Sequence, residues 1–284
     1  MLNQPTVLVP KPKFSGTIAI DSLGEWARLT FAKDMGHDPW DVEDLRAVNN
    51  FSGMGERIAI ILRRLKNIRD QHNVNIVVTA HEGIDKIYAK GGMIAKKGES
   101  SNEPIGVWGR PDIPGQSATQ EILRAFDNIF RVRMSGTNLI WCAQKEALGG
   151  GGNTWEVKDR FNACQIQNGY LPISYSEIER LALGGVSATV KEGVNWNPPY
   201  MWLIYGPPGF KKTLSLKTFP KPLHLFDLDG GSSVLKPEID KGEVIVHRFD
   251  PDNHNDYDKF ISELFSICAS SSEVQTVRKA LGLK

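Results

Sequence analysis

The chain has 284 residues, of which 40% are hydrophobic, and a formal net charge of +1. That length suits one large α/β domain or two small ones, and the near-zero charge excludes a global basic field, so nucleic acid could be held only by a local patch. No apolar run approaches the ~20 residues of a membrane span, the opening MLNQPTVLVPKPKF lacks a signal-peptide layout, and Cys142, Cys164 and Cys268 have no metal-ligand spacing. A reducing, cytoplasmic setting without a zinc site is expected.

Pro5, Pro10 and Pro12 keep the first sixteen residues extended, and TIAIDS (Thr17 to Ser22) then reads as a buried parallel strand closed by Asp21. An acid there either serves a nucleotide site or simply leads into an N-capped helix. Residues 23–33 have helical apolar spacing, residues 36–55 read as a loop, and 56–71 as an amphipathic helix. The arginines and lysines of that last helix read as a solvated face.

A second buried strand, 74–79, ends in Ala80-His81-Glu82, where His81 is either a γ-phosphate sensor or a loop residue. Residues 83–119 form a long Gly-rich stretch carrying Lys86, Lys90, Lys96 and Lys97 beside Tyr88 and Trp108. Lysines with aromatics suit single-stranded DNA; the alternative is a solvated loop. A helix is predicted over 120–130, paired strands at 131–134 and 137–143 around Ser135-Gly136, and a glycine turn at 148–153. In TWEVKDRFN, Lys158 and Arg160 alternate on one side of an extended segment, as a surface pair or as cations offered to a neighbouring subunit.

Residues 171–199, with one short helix at 175–183, form the candidate connector. A buried strand at 202–205 then enters Gly206-Pro207-Pro208-Gly209-Phe210-Lys211-Lys212-Thr213-Leu214, which reads as a phosphate-binding loop. Lys212 would reach the β- and γ-phosphates and Thr213 would ligate Mg²⁺. The pattern GxxxxGK[ST] asks for glycine where Lys211 stands. A short helix at 214–218, a strand at 223–229 ending LFDLD, a strand at 244–247, a helix at 256–270 and a small polar helix complete the chain.

The phosphate loop, LFDLDGG, TIAIDS, IVVTAHE, PDIPGQ, LRAFDNIFRV and WEVKDRF together resemble the phage and bacterial RecA-like ATP-binding proteins that include the Sak-group single-strand annealing proteins. The resemblance implies a three-layer α/β sandwich with a mostly parallel sheet, binding ATP and Mg²⁺. By position it implies phosphate and Mg²⁺ contacts for Lys212 and Thr213, an acid of the metal shell for Asp21, and a water-activating acid for Asp229. His81 would be the sensor, residues 83–119 the DNA loop, and Lys158 and Arg160 the cations offered across a ring or filament interface. Single-stranded DNA, further copies of the chain and a single-strand DNA-binding protein are the implied partners.

In that family the phosphate loop comes first, and here it comes last. One account is a circular permutation within a single domain spanning 1–284: a sensor and finger half (1–170), a connector (171–199) and a phosphate-loop half (200–284). Some thirty extended residues span up to ~100 Å, enough to join the usual termini. The rival account is a truncated tandem protein. Function divides likewise between a DNA-stimulated ATPase in recombination or annealing and a DNA-binding or scaffold module with little or no hydrolysis.

Overall fold

The computed structural model describes residues 16–35, 48–87, 106–113, 116–142, 154–160, 170–182, 199–267 and 271–283. Strand β1 (Thr17–Asp21) leads into helix α1 (Leu23–Met35), followed by α2 (Val48–His72), β2 (Asn75–Ile87), β3 (Gly106–Pro111) and α3 (Gln116–Ala125). Next come β4 (Asn128–Ser135), β5 (Asn138–Cys142), β6 (Thr154–Trp155), β7 (Tyr170–Pro172) and α4 (Tyr175–Ala182). The last stretch holds β8 (Met201–Gly206), α5 (Lys212–Ser215), β9 (Leu223–Asp227), α6 (Lys236–Asp240), β10 (Val244–Arg248), α7 (Asp256–Ser266) and α8 (Ser271–Ala280).

The strands form one sheet in the order β10-β9-β1-β2-β8-β4-β5-β7, with β3 added on β2 and β6 on β3. The run from β10 to β4 is parallel, whereas β5 pairs antiparallel with β4 and β7, and β3 is antiparallel to β2 but parallel to β6. Apolar runs buried on both faces are what such a sheet requires. Along β8, Met201, Leu203 and Tyr205 pack on the face covered by α1, α2, α3, α7 and α8. Trp202 and Ile204 face the other layer, with Tyr175 and Ile178 of α4, Leu216 and Leu235. This is a mostly parallel α/β sheet with helices on both faces. Strands from before and after residue 200 alternate within it, β1 lying between β9 and β2, and β8 between β2 and β4.

Several boundaries differ from expectation. Helix α2 starts at Val48 rather than 56, because Met54 is buried and anchors its first turns in the core despite the nearby glycines. Strand β2 does not stop at Thr79: residues 82–87 leave the parallel sheet and continue against β3, so the expected long loop begins and ends as a two-stranded arm. The apolar run 120–130 is split. α3 ends at Ala125, and Asp127 then accepts the Met201 N–H (2.9 Å) while its own N–H donates to the Met201 carbonyl (2.9 Å), which turns Asn128–Phe130 into strand beside β8. β9 ends at Asp227, two residues early, and α7 at Ser266. The glycine turn at 148–153, most of the connector beyond Ala182, and Lys90, Lys96 and Lys97 lie outside the described residues. No described helix is long and apolar enough to cross a membrane.

The arm is fixed to the sheet by a close approach. A Cβ on Gly109 would lie 2.1 Å from the Trp155 ring, which is itself buried under the Arg131 guanidinium, 3.6 Å from the ring centre. Gly109→Ala should therefore destabilise the protein by about 1–3 kcal/mol through overpacking, read as a lower urea midpoint with an unchanged slope.

Candidate functional site

The carboxyl ends of β8, β2, β1 and β9 converge on one small polar site. Gly206 ends β8, and a Cβ there would meet the Val132 carbonyl at 2.8 Å, so only glycine lets β4 approach this closely. Gly209 takes φ +78°, and Pro208 and Gly209 are exposed at the loop's tip. Phe210 and Leu214 pack partly against the apolar layer below, which holds the loop down. Lys211 sits at φ 54°, ψ 30°, the left-handed conformation that glycine would adopt without penalty. A side chain there costs about 1–2 kcal/mol, yet Lys211 itself points into solvent rather than into the loop.

Lys212 is only 7% exposed, and its ammonium donates to the carbonyls of Gly206 (3.1 Å) and Pro207 (2.9 Å), closing the loop on itself. Burial lowers its pKa, opposed by Asp21, Asp229 and Glu82. The α5 helix that follows has four residues before tightening into a 3₁₀ turn at 216–218, so its dipole is short. The Lys212 ammonium is the charged donor of the loop.

Thr213, next along, donates its hydroxyl to Asp21 Oδ2 at 2.6 Å. Asp21 is 1% exposed and also accepts from Thr79 of β2. Burial raises its pKa, against the hydrogen bonds from Thr213 and Thr79, and the nearby charges of Asp229 and Asp227 add to the rise. Gly231 closes this corner: a Cβ on it would lie 3.2 Å from Thr213 Oγ1 and 3.3 Å from Asp21 Oδ2. Asp227 holds that turn by accepting the N–H groups of Gly231 (3.0 Å) and Ser232 (3.2 Å). A hydroxyl and a carboxylate oxygen beside a glycine cradle are the hard oxygen donors that Mg²⁺ prefers, so these residues fit the ion.

His81 stands in register with Gly206, inside β2 rather than in a loop. Its Nδ1 lies 3.4 Å from the Lys212 ammonium and its Nε2 3.5 Å from Asp229. An ammonium has no lone pair to offer, so Nδ1 faces it as the acceptor and the ring proton belongs on Nε2, toward Asp229. His81 thus couples the loop lysine to Asp229.

No known family, curated protein or solved structure matches this chain.

What the site can do is read from its own residues. The loop at 206–214, Asp21, His81 and Asp229 come together, although the residues preceding 22 and following 200 are far apart in sequence. Lys158 and Arg160 do not join them. Lys158 bridges Ile129 at the amino end of β4 and donates to the Phe126 carbonyl, while Arg160 pairs with Asp127 at 3.2 Å. In register, Ile129 lies beside Leu203, three residues and about 10 Å before Gly206. The extended segment expected there is one short strand, β6, followed by this single bridge. Lys86 lies on the β2 arm.

Thr79, Asp227, Gly231 and the Glu82–Arg131 pair (3.0 Å) were not legible as site residues. A buried threonine in an otherwise aliphatic strand and the alternation of Asp227 with Asp229 were the available signals.

Asp21 carries the pH signature of the site. Its folded pKa is raised, so the folded state holds the proton more tightly than the unfolded chain, and its contribution to stability grows as pH falls through the raised value toward 3.8. Asp21→Asn should raise the ligand-free melting temperature at neutral pH and flatten that acid-side gain, seen in thermal melts from pH 4 to pH 8.

Proposed function

We propose that the chain is a RecA-like P-loop protein with circularly permuted segment order, which binds MgATP and hydrolyses it when stimulated by single-stranded DNA in recombination or strand annealing. The observation that carries this reading is the 2.6 Å contact between Thr213 and Asp21, with Lys212 arched over the loop beside it. A loop hydroxyl, a desolvated strand-end acid and a buried amine are the parts that phosphate and Mg²⁺ require together. The alternation of the two halves in one sheet supports permutation within a single domain.

In this reading Lys212 leaves the Gly206 and Pro207 carbonyls and donates instead to the β- and γ-phosphate oxygens, neutralising charge as the phosphoryl group transfers. Thr213 and Asp21 would hold Mg²⁺, which would supply neutralisation of phosphate charge. Asp229, exposed at the mouth, orients the attacking water for in-line displacement. His81 loses its lysine neighbour when Lys212 moves, and reports that change along β2 into the arm that carries Lys86 and leads toward Lys90, Lys96 and Lys97. Lys158 and Arg160, remote from their own chain's loop, would meet a loop-bound nucleotide only where a neighbouring copy brings its loop to them in a ring or filament. A single-strand DNA-binding protein is the further partner of such a machine, and the cytoplasm its place.

Purified chain should bind MgATP and hydrolyse it faster with single-stranded DNA, and Lys212→Ala should lower the stimulated rate on the order of a hundredfold or more. Absence of nucleotide binding in the natural chain would overturn the reading.

The left-handed Lys211 favours a second reading, in which the protein binds nucleotide and DNA with little or no turnover. Lys211→Gly separates the two. A damped ATPase gains hydrolysis as the loop relaxes, whereas a binding or scaffold module stays at its near-zero rate.

A further inference from the structure

An open groove of about 360 Å³ lies between α3, β3 and the segment after β6, apart from the phosphate loop. Leu123 and Ile129 line its apolar floor, and the half-buried ring of Trp108 forms a wall. Trp108 is oriented by its indole N–H, which donates to Glu156 at 3.3 Å. Arg124 and Gln120, both exposed on α3, stand on the rim, and Lys158 closes the end.

The charges around the groove are unbalanced. Burial lowers the pKa of Lys158, and the repulsion of Arg160 and of Lys66 on α2 adds to this against the attraction of Asp127 and Glu156. On the acidic side, Asp127 is shared between the buried Arg69 and Arg160, and Glu121 pairs with Arg63 at 2.7 Å. Glu156 accepts the neutral indole N–H and keeps its negative charge near Lys158. Arg124 makes no ion pair among the described residues. An aromatic wall, an apolar floor and a cationic rim select a flat apolar group carrying an anion.

We propose that this groove is a binding site for single-stranded nucleic acid, with a base stacked on Trp108 and the adjoining phosphate held by Arg124 and Lys158. A free mononucleotide offers the same base and phosphate. The strand is favoured because Lys66, near Lys158 but outside the groove's lining, continues the positive surface, and because β3 leads out of the groove into the arm. The site needs no nucleotide at the phosphate loop.

The test uses the full chain, a labelled oligothymidylate, and Arg124→Gln, an exposed change that leaves MgATP binding intact. The variant should bind the oligonucleotide about tenfold more weakly at low salt, and the slope of log affinity against log salt should fall by about 0.7, one phosphate contact. Illumination of an oligonucleotide carrying 5-iododeoxyuridine should attach it to Trp108, located by mass spectrometry of the digested protein. An unchanged slope, adducts that spare Trp108, or displacement of the strand by equimolar thymidine monophosphate each overturns the proposal. Loss of MgATP binding by Lys212→Ala leaves these results unaltered, so the two sites fail independently.

Discussion

The buried carboxylate of Asp21 is the constraint on which the rest of the site depends. It is taken out of water at the end of β1 with two hydroxyls, from Thr79 and Thr213, as its side-chain partners among the described residues. The cost of burying it ionised shows in its raised pKa. Its backbone carbonyl is tied as well, accepting the N–H groups of Leu228 (2.7 Å) and Asp229 (3.2 Å). One residue near the start of the chain therefore joins the middle of β2 to the segments that follow β8 and β9, and the glycine at 231 is what allows the last of these to close on it.

This joining is possible because the chain's early and late strands share one sheet. β1 has late neighbours on one side and β2 on the other, and β8 is flanked by two early strands. The apolar layer containing Ile18, Ile76 and Leu62 also contains Leu203, Phe226 and Phe260, so neither half buries its own strands. Native pairing must close long loops before it is rewarded, which makes this a slow-folding topology. A site built from residues so distant in sequence exists only after the whole sheet has formed.

The strands that position the site were legible in the sequence, since TIAID, MWLIYG and LHLFD are short apolar runs that stop at an acid or a glycine. What escaped was set by neighbours. The register of His81 with Gly206 depends on β2 lying next to β8, which no local pattern states. The break between α3 and β4 comes from Asp127 exchanging hydrogen bonds with Met201, while the apolar spacing of Phe126, Ile129 and Phe130 reads on as helix. The arm of β2 and β3 is polar and alternating, and its strand character comes from pairing and from the contact of Gly109 with Trp155. Lys158 and Arg160 do alternate, but the cations meet the amino end of β4, an outcome decided by a bridge to Ile129.

The electrostatics of the loop follow from the same geometry. Lys212 is buried among carbonyl oxygens, which satisfy its hydrogens without carrying a full charge, and the carboxylates that favour its ammonium form act from beyond hydrogen-bond reach. Asp21 is desolvated with hydroxyl partners and no cation in contact. Two charged groups are thus held close together, each destabilised by burial and neither neutralised by the other. An anion in the loop would complement Lys212, a divalent cation beside Thr213 would complement Asp21, and the two entering together would relieve both desolvation costs without changing the net charge of the pair by much. A site with this imbalance carries two uncompensated desolvation costs, and its ligand-free stability is lower for them.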